Sequence, residues 1–233
     1  MSLRVRERLG LADAVTLLNA VLGVAAMVLA VTEGPAVAAR LVLLAAVADG
    51  LDGIIARYYG SSRVGPILDS IADVVSFGTA PAMFLFALAR DAWRPLPADP
   101  VLLVVAVGVA AAFVVFSLVR TALYTVYVGE DENRPGIQNT LAASILAAGF
   151  LAAGTAVPAE TAAVVVLGAS LVLGLLMVTP VPYPKLAARD ALAIGIVQVV
   201  VIVRPGVLGR VFPRVLLVAA LAYMLLAPRF YWA

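Results

Sequence analysis

The chain has 233 residues, of which 64% are hydrophobic and 13% charged; its formal net charge is +2, and it contains neither cysteine nor histidine. A mean hydropathy of +1.09 excludes an ordinary soluble globule, which uses about a quarter charged residues. So small a charge, carried by scattered arginines, argues against nucleic acid as a partner. Without Cys or His there is no disulfide, thiolate nucleophile, zinc site or imidazole base, so a bound metal must be a hard cation held by oxygen, Mg²⁺ or Mn²⁺.

Residues 1–10, with Arg4, Arg6 and Arg8, form a short basic segment suited to the membrane interface. The apolar run that follows is too long for a signal-peptide core and reads as a retained first span. Apolar runs then predict spans at about 12–32, 36–57, 66–89, 100–127, 137–156, 160–180, 190–203 and 213–227. The last two are short and flanked by proline, which leaves six or seven spans as alternatives to eight. The predicted fold class is all-α, a polytopic transmembrane helix bundle forming one domain over residues 1–233, with no internal repeat and no linker.

Loop charges orient the bundle. With the N-terminus in the cytoplasm, eight spans put Arg57, Arg63, Arg134, Lys185, Arg189 and Arg229 inside, and Arg90, Arg94, Arg204, Arg210 and Arg214 outside. The inside bias is modest and follows the positive-inside rule. It predicts a multi-pass protein of the cell membrane whose second and third spans meet on the cytoplasmic side, at residues 57–65.

The informative residues lie on those two spans. Asp49 and Asp52 are three apart near the end of the second; Asp69 and Asp73 are four apart near the start of the third. Each spacing puts its pair on one helix face. A short loop makes the two helices antiparallel neighbours, so the pairs are expected to face each other. Ionisable groups inside a membrane segment are costly and mark function by default. Four close carboxylates repel one another unless cations neutralise them, and they supply enough oxygen to share two divalent ions, the arrangement used in phosphoryl chemistry. Gly50, Gly53 and Ala56 clear a groove beside them for a base or diphosphate, and Arg57 follows with a guanidinium suited to phosphate. A single aspartate of this kind can be no more than a turn or helix-start residue. All four in register inside apolar spans form a much more specific pattern.

Asp49-Gly-Leu-Asp52-Gly53-Ile-Ile-Ala56-Arg57, then Gly65-Pro-Ile-Leu-Asp69-Ser-Ile-Ala-Asp73, resembles at every fixed position the signature D-x-x-D-G-x-x-A-R…G-x-x-x-D-x-x-x-D of the CDP-alcohol phosphotransferase family. The resemblance implies a magnesium- or manganese-dependent membrane enzyme that moves a phosphatidyl group from a CDP-linked lipid to an alcohol and releases CMP. It implies metal binding by Asp49, Asp52, Asp69 and Asp73, with Asp73 also the base for the acceptor hydroxyl. Gly53, Ala56 and Arg57 would line the CDP-lipid pocket, residues 36–90 would be the catalytic helix pair, and the enzyme would be a homodimer.

The string continues Asp73-Val-Val-Ser76-Phe-Gly78-Thr-Ala-Pro81, similar to the serine-transferring branch of that family. L-Serine is therefore the expected acceptor. Ser76 shares a helix face with Asp73 and is a candidate acceptor or phosphate contact; the plainer reading is that Ser76 and Gly78 permit close packing and Pro81 kinks the span. Arg120, near the end of the fourth span, is a second candidate contact, with snorkelling to the interface as its plainer reading. The segment 135–143 departs from the serine branch at its prolines and, with the Pro-Tyr-Pro loop at 182–184 and the additional spans, is closer to the archaeal branch that makes archaetidylserine from CDP-archaeol. Other acceptors, inositol phosphate or glycerol phosphate, are the alternatives within the family. A carrier using the carboxylates as an ion relay is the alternative outside it, and it predicts matching broken helices in two halves, which the sequence lacks.

Overall fold

The computed structural model describes residues 9–94, 99–127, 134–184 and 188–230. Among them the main elements are α1 Leu11–Thr32, α2 Pro35–Tyr59, α3 Gly65–Ala92, α4 Pro100–Tyr127, α5 Asn139–Ala153, α6 Ala159–Met177, α7 Ala188–Val203 and α8 Val211–Phe230. Two-residue strands, β1 Arg134–Pro135 and β2 Pro182–Tyr183, pair antiparallel. The eight helices match the predicted spans closely. Six of them, among the described residues, are long and apolar enough to cross a membrane; α7 is shorter, and α2 carries Arg40, Asp49, Asp52 and Arg57. This is an all-α, multi-pass membrane bundle. The interfacial placement expected for residues 1–10 lies, except for Leu9 and Gly10, outside the described residues, as do the acidic residues 130–132, Lys185 and the side chains of Arg134 and Arg189.

Helix ends follow local chemistry. Asp13, in the first turn of α1, reaches back so that Oδ2 accepts the Gly10 N–H at 2.6 Å, the reciprocal half of a capping box. Pro35 and Pro66 sit in the first turns of α2 and α3, where a missing N–H costs nothing. Gly60, at φ +86°, stops α2, a backbone angle that other residues rarely adopt.

In lipid, packing rather than water exclusion holds helices together, and small residues set how closely they approach. A Cβ on Gly23 of α1 would lie 2.8 Å from the Ser76 Cα, and one on Gly78 of α3 would lie 2.7 Å from Ser117 Oγ of α4. Alanines do the same elsewhere: Ala26, Ala38, Ala80, Ala106 and Ala148 are fully buried in a core that also takes in Phe77, Phe84 and Phe113. Arg40 pins the short α7 by donating from Nε to the Ile202 carbonyl at 2.7 Å.

One local feature departs from the expected kink at Pro81. Residues Val74–Thr79 wind as a π-helix, in which the Ala80 N–H reaches the Val75 carbonyl and Thr79 Oγ1 donates to the Val74 carbonyl at 3.1 Å. Proline cannot donate, and the wider π turn just before it re-registers the backbone so that α3 continues to Ala92. Such segments concentrate at functional sites, and this one begins at the residue after Asp73.

Candidate active site

α2 and α3 are antiparallel, as expected, but they do not pack evenly along their length. α2 touches the Ala80–Ala92 half of α3, whereas the Gly65–Asp73 half rests on α1. The pair therefore splays towards its connecting loop, and the aspartates line the gap. At 1.5 Å per residue, Asp73 sits about 12 Å into α3.

One carboxylate oxygen from each of Asp49, Asp69 and Asp73 can be chosen so that all three lie within 4.8 Å of one another. Asp73 Oδ1 is buried without a hydrogen-bond partner, and Asp49 Oδ2 accepts from Thr140 Oγ1 of α5 at 3.2 Å. Asp52 stands slightly apart from the trio. It is 7% exposed, and its Oδ2 accepts from Thr16 Oγ1 of α1 at 2.7 Å, with Asp69 and Asp13 close enough to act on it electrostatically.

A cavity of about 110 Å³ opens onto the trio. Its opposite wall is Arg120, Thr121 and Tyr124 of α4 with Gln138 and Thr140 at the start of α5. Arg120 is buried, acts electrostatically on Asp73, and has its guanidinium carbon 5.2 Å from the Tyr124 ring centroid. That distance is a cation–π contact and holds the charge inside the cavity rather than at the membrane surface. A second, wider groove of about 850 Å³ lies at the loop end, between Gly10 and residues 59–64.

The other predicted residues are placed as follows. Ser76 is fully buried and donates to the Asn19 carbonyl at 2.8 Å, in contact with α1 and outside the cavity lining, as the packing reading expects. Gly53 has open space where a Cβ would be, Ala56 is half-buried, and Arg57 is exposed on the last turn of α2. On the same helix segments, facing away from the trio, Leu51, Ile67 and Ile71 are exposed.

Reading the sequence as spans and motifs missed the α1 contribution. Asp13, Thr16 and Asn19 are buried, three residues apart, on the face that α1 turns to α2 and α3, and the Asn19 amide has no partner at either end. Polar residues at helical spacing inside an apolar span were the available signal. Thr121, Tyr124, Gln138 and Thr140 had none, because only the fold brings them to the aspartates.

The donor set fits a divalent cation. Three carboxylates converge, one buried oxygen lacks a partner, and every donor is oxygen, the preference of Mg²⁺ and Mn²⁺. A model of the CDP-alcohol phosphatidyltransferase family matches residues 9–197, most of the chain. The chain belongs to that family. CDP-alcohol phosphatidyltransferases depend on divalent metal ions, and membership removes the carrier reading. Among relatives, the chain is 27% identical over 191 residues to the archaetidylserine synthase of Methanothermobacter thermautotrophicus, covering 81% of this chain and 75% of that protein. It is 42% identical over 78 residues to the CDP-diacylglycerol–serine O-phosphatidyltransferase of Mycobacterium leprae, and 41% over 83 residues to the protein of that name in Methanocaldococcus jannaschii. Those two matches span 26% and 38% of the relatives' lengths.

Proposed function

We propose that this CDP-alcohol phosphatidyltransferase transfers the lipid-phosphate group of a CDP-linked lipid, CDP-diacylglycerol or CDP-archaeol, to L-serine and releases CMP. One observation carries the acceptor: a small cavity that sets a buried arginine opposite a cluster of carboxylates. At about 110 Å³ it suits a compact molecule with both charges, and the serine carboxylate pairs with Arg120 while its hydroxyl turns to Asp73. Relatives named for serine transfer support the same acceptor.

In this reading Asp73 takes the hydroxyl proton. The serine oxygen forms a bond to the lipid-bearing phosphorus, the bond from that phosphorus to the CMP oxygen breaks, and CMP leaves. Asp49, Asp69 and Asp73, with Asp52, would hold two Mg²⁺ or Mn²⁺ ions. Such ions neutralise the diphosphate and the charge that grows on the departing CMP. Thr140 and Thr16 orient Asp49 and Asp52 by their hydrogen bonds. Arg120 screens Asp73 and orients the acceptor, and Gly53, Ala56 and Arg57 receive the nucleotide end of the donor. Residues 36–90 are thus the catalytic helix pair of a single domain. The loop arginines favour a cell-membrane protein with this site towards the cytoplasm, and the family resemblance favours a homodimer, checked by mass determination in detergent.

The test is CMP release from CDP-lipid with serine, inositol phosphate and glycerol phosphate offered in turn. Turnover with serine alone is expected. Turnover only with another acceptor overturns the serine assignment, and full activity without divalent cations overturns the metal assignment.

A further inference from the structure

The α5 wall of the cavity is held in place from an unexpected direction. β1 immediately precedes that wall, and it pairs with β2, Arg134 opposite Tyr183 and Pro135 opposite Pro182. The pairing continues as the Gly136 N–H donates to the Val181 carbonyl at 2.8 Å, and the Ile137 N–H donates to the Leu176 carbonyl at the end of α6 at 3.2 Å. Gly136 has φ +71° and lies so close to the Met177 carbonyl that no Cβ fits. Ile137 is fully buried, and the cavity-lining Gln138 and Thr140 lie one and three residues beyond it.

β2 is itself braced by α8. Tyr183 Oη donates to the Met224 carbonyl at 3.1 Å, Tyr223 Oη donates to the Pro184 carbonyl at 2.5 Å, and the two rings lie 6.4 Å apart. Each tyrosine thus reaches the other's segment, and Tyr183 is only 4% exposed. The chain of contacts runs from α8 through β2 and β1 to Thr140, whose hydroxyl ends on Asp49. α8 lies beyond residue 197, where the family match stops.

We propose that this reciprocal tyrosine clasp makes Tyr183 and Tyr223 positioning residues for acceptor binding: they fix the β1 segment and so the Gln138–Thr140 wall of the cavity. The proposal rests on the reading of that cavity as the acceptor site. Neither tyrosine lines the cavity, so any effect on the reaction passes through the Gln138–Thr140 wall and, by the Thr140 hydroxyl, through Asp49.

The experiment uses the full chain with Tyr183→Phe, Tyr223→Phe and the double variant, which keep the rings and remove only the hydroxyls. In each single variant the KM for serine rises about fivefold, the loss of one hydrogen bond's net worth. The KM for CDP-lipid stays at the wild-type value, and kcat falls by less than the serine KM rises, since the Thr140 hydroxyl also reaches Asp49. The double variant is less than additive, because both hydroxyls brace one loop. Hydrogen exchange over residues 134–142 speeds up in all three variants more than it does over the other helices, with a fall in the thermal midpoint no larger than the lost hydrogen bonds account for. Exchange does not depend on which alcohol is the acceptor, so it still tests the clasp if serine proves wrong. Unchanged exchange overturns the proposal. A fall in kcat and thermal midpoint with the serine KM unchanged overturns it too, since that is what a merely structural role gives.

Discussion

The two halves of α3 share one helix and have opposite surroundings. From Ala80 to Ala92 most residues are buried, Phe84 and Leu85 among them, against α1, α2, α4 and α6. From Gly65 to Asp73 only Ala72 is buried, and α2 has moved away. The Ala80–Ala92 half is anchored by packing, and the Gly65–Asp73 half presents carboxylates to a gap. A site of mutually repelling charges needs such an arrangement, since the rigid half holds in place groups that do not stabilise each other.

Four substitutions probe that contrast, from largest effect to smallest. Asp73→Asn removes the proposed base without changing shape, and transfer should fall by about 10²–10⁴-fold while the thermal midpoint stays near wild type. A chelator should abolish transfer in the unaltered protein, with recovery on adding Mg²⁺ or Mn²⁺; CMP release measures both. Gly78→Ala tests the tightly packed π segment that leads into the buried half of α3. Its Cβ would lie 2.7 Å from Ser117 Oγ, so stability should drop by about 1–3 kcal/mol in detergent unfolding. Thr16→Val removes the hydroxyl that orients Asp52, and kcat/KM should fall about fivefold with little change in stability. Gly50→Ala tests the open side of α2, where a Cβ meets nothing within 4 Å. It should leave stability unchanged or raise it by up to about 1 kcal/mol, since alanine favours helix. If Gly50→Ala and Gly78→Ala cost the same, the contrast between the open side of α2 and the packed stretch of α3 fails.

The spans and the aspartate register were legible because both are local: apolar runs set helices, and spacings of three and four set faces. The splay of α2 from α3 was not, because it depends on α1 wedging against Gly65–Asp73. The α1 stripe of Asp13, Thr16 and Asn19 was visible as spacing, but its meaning lay in Asp52, thirty-six residues beyond Thr16. Arg120, near the end of the fourth span, was identified as a candidate from the likeness to the serine-transferring branch, yet nothing local distinguished an inward guanidinium from a snorkelling one. The π segment was hidden because a proline marks an interruption without saying how the backbone accommodates it.

Leu51, Ile67 and Ile71 are exposed on the faces of α2 and α3 that turn away from Asp49, Asp69 and Asp73, so the helix segments that carry the charged gap are bordered by apolar surface. A donor with two hydrocarbon tails can therefore bring its diphosphate in sideways, with the tails remaining in the bilayer. Only the headgroup must be recognised, and the tails' large transfer free energy never enters the cycle. For the proposed reaction, encounter becomes two-dimensional. The rate should follow the donor's mole fraction in the membrane rather than its bulk concentration, and diluting the donor with inert lipid should slow the enzyme even when the amount of donor per volume is fixed.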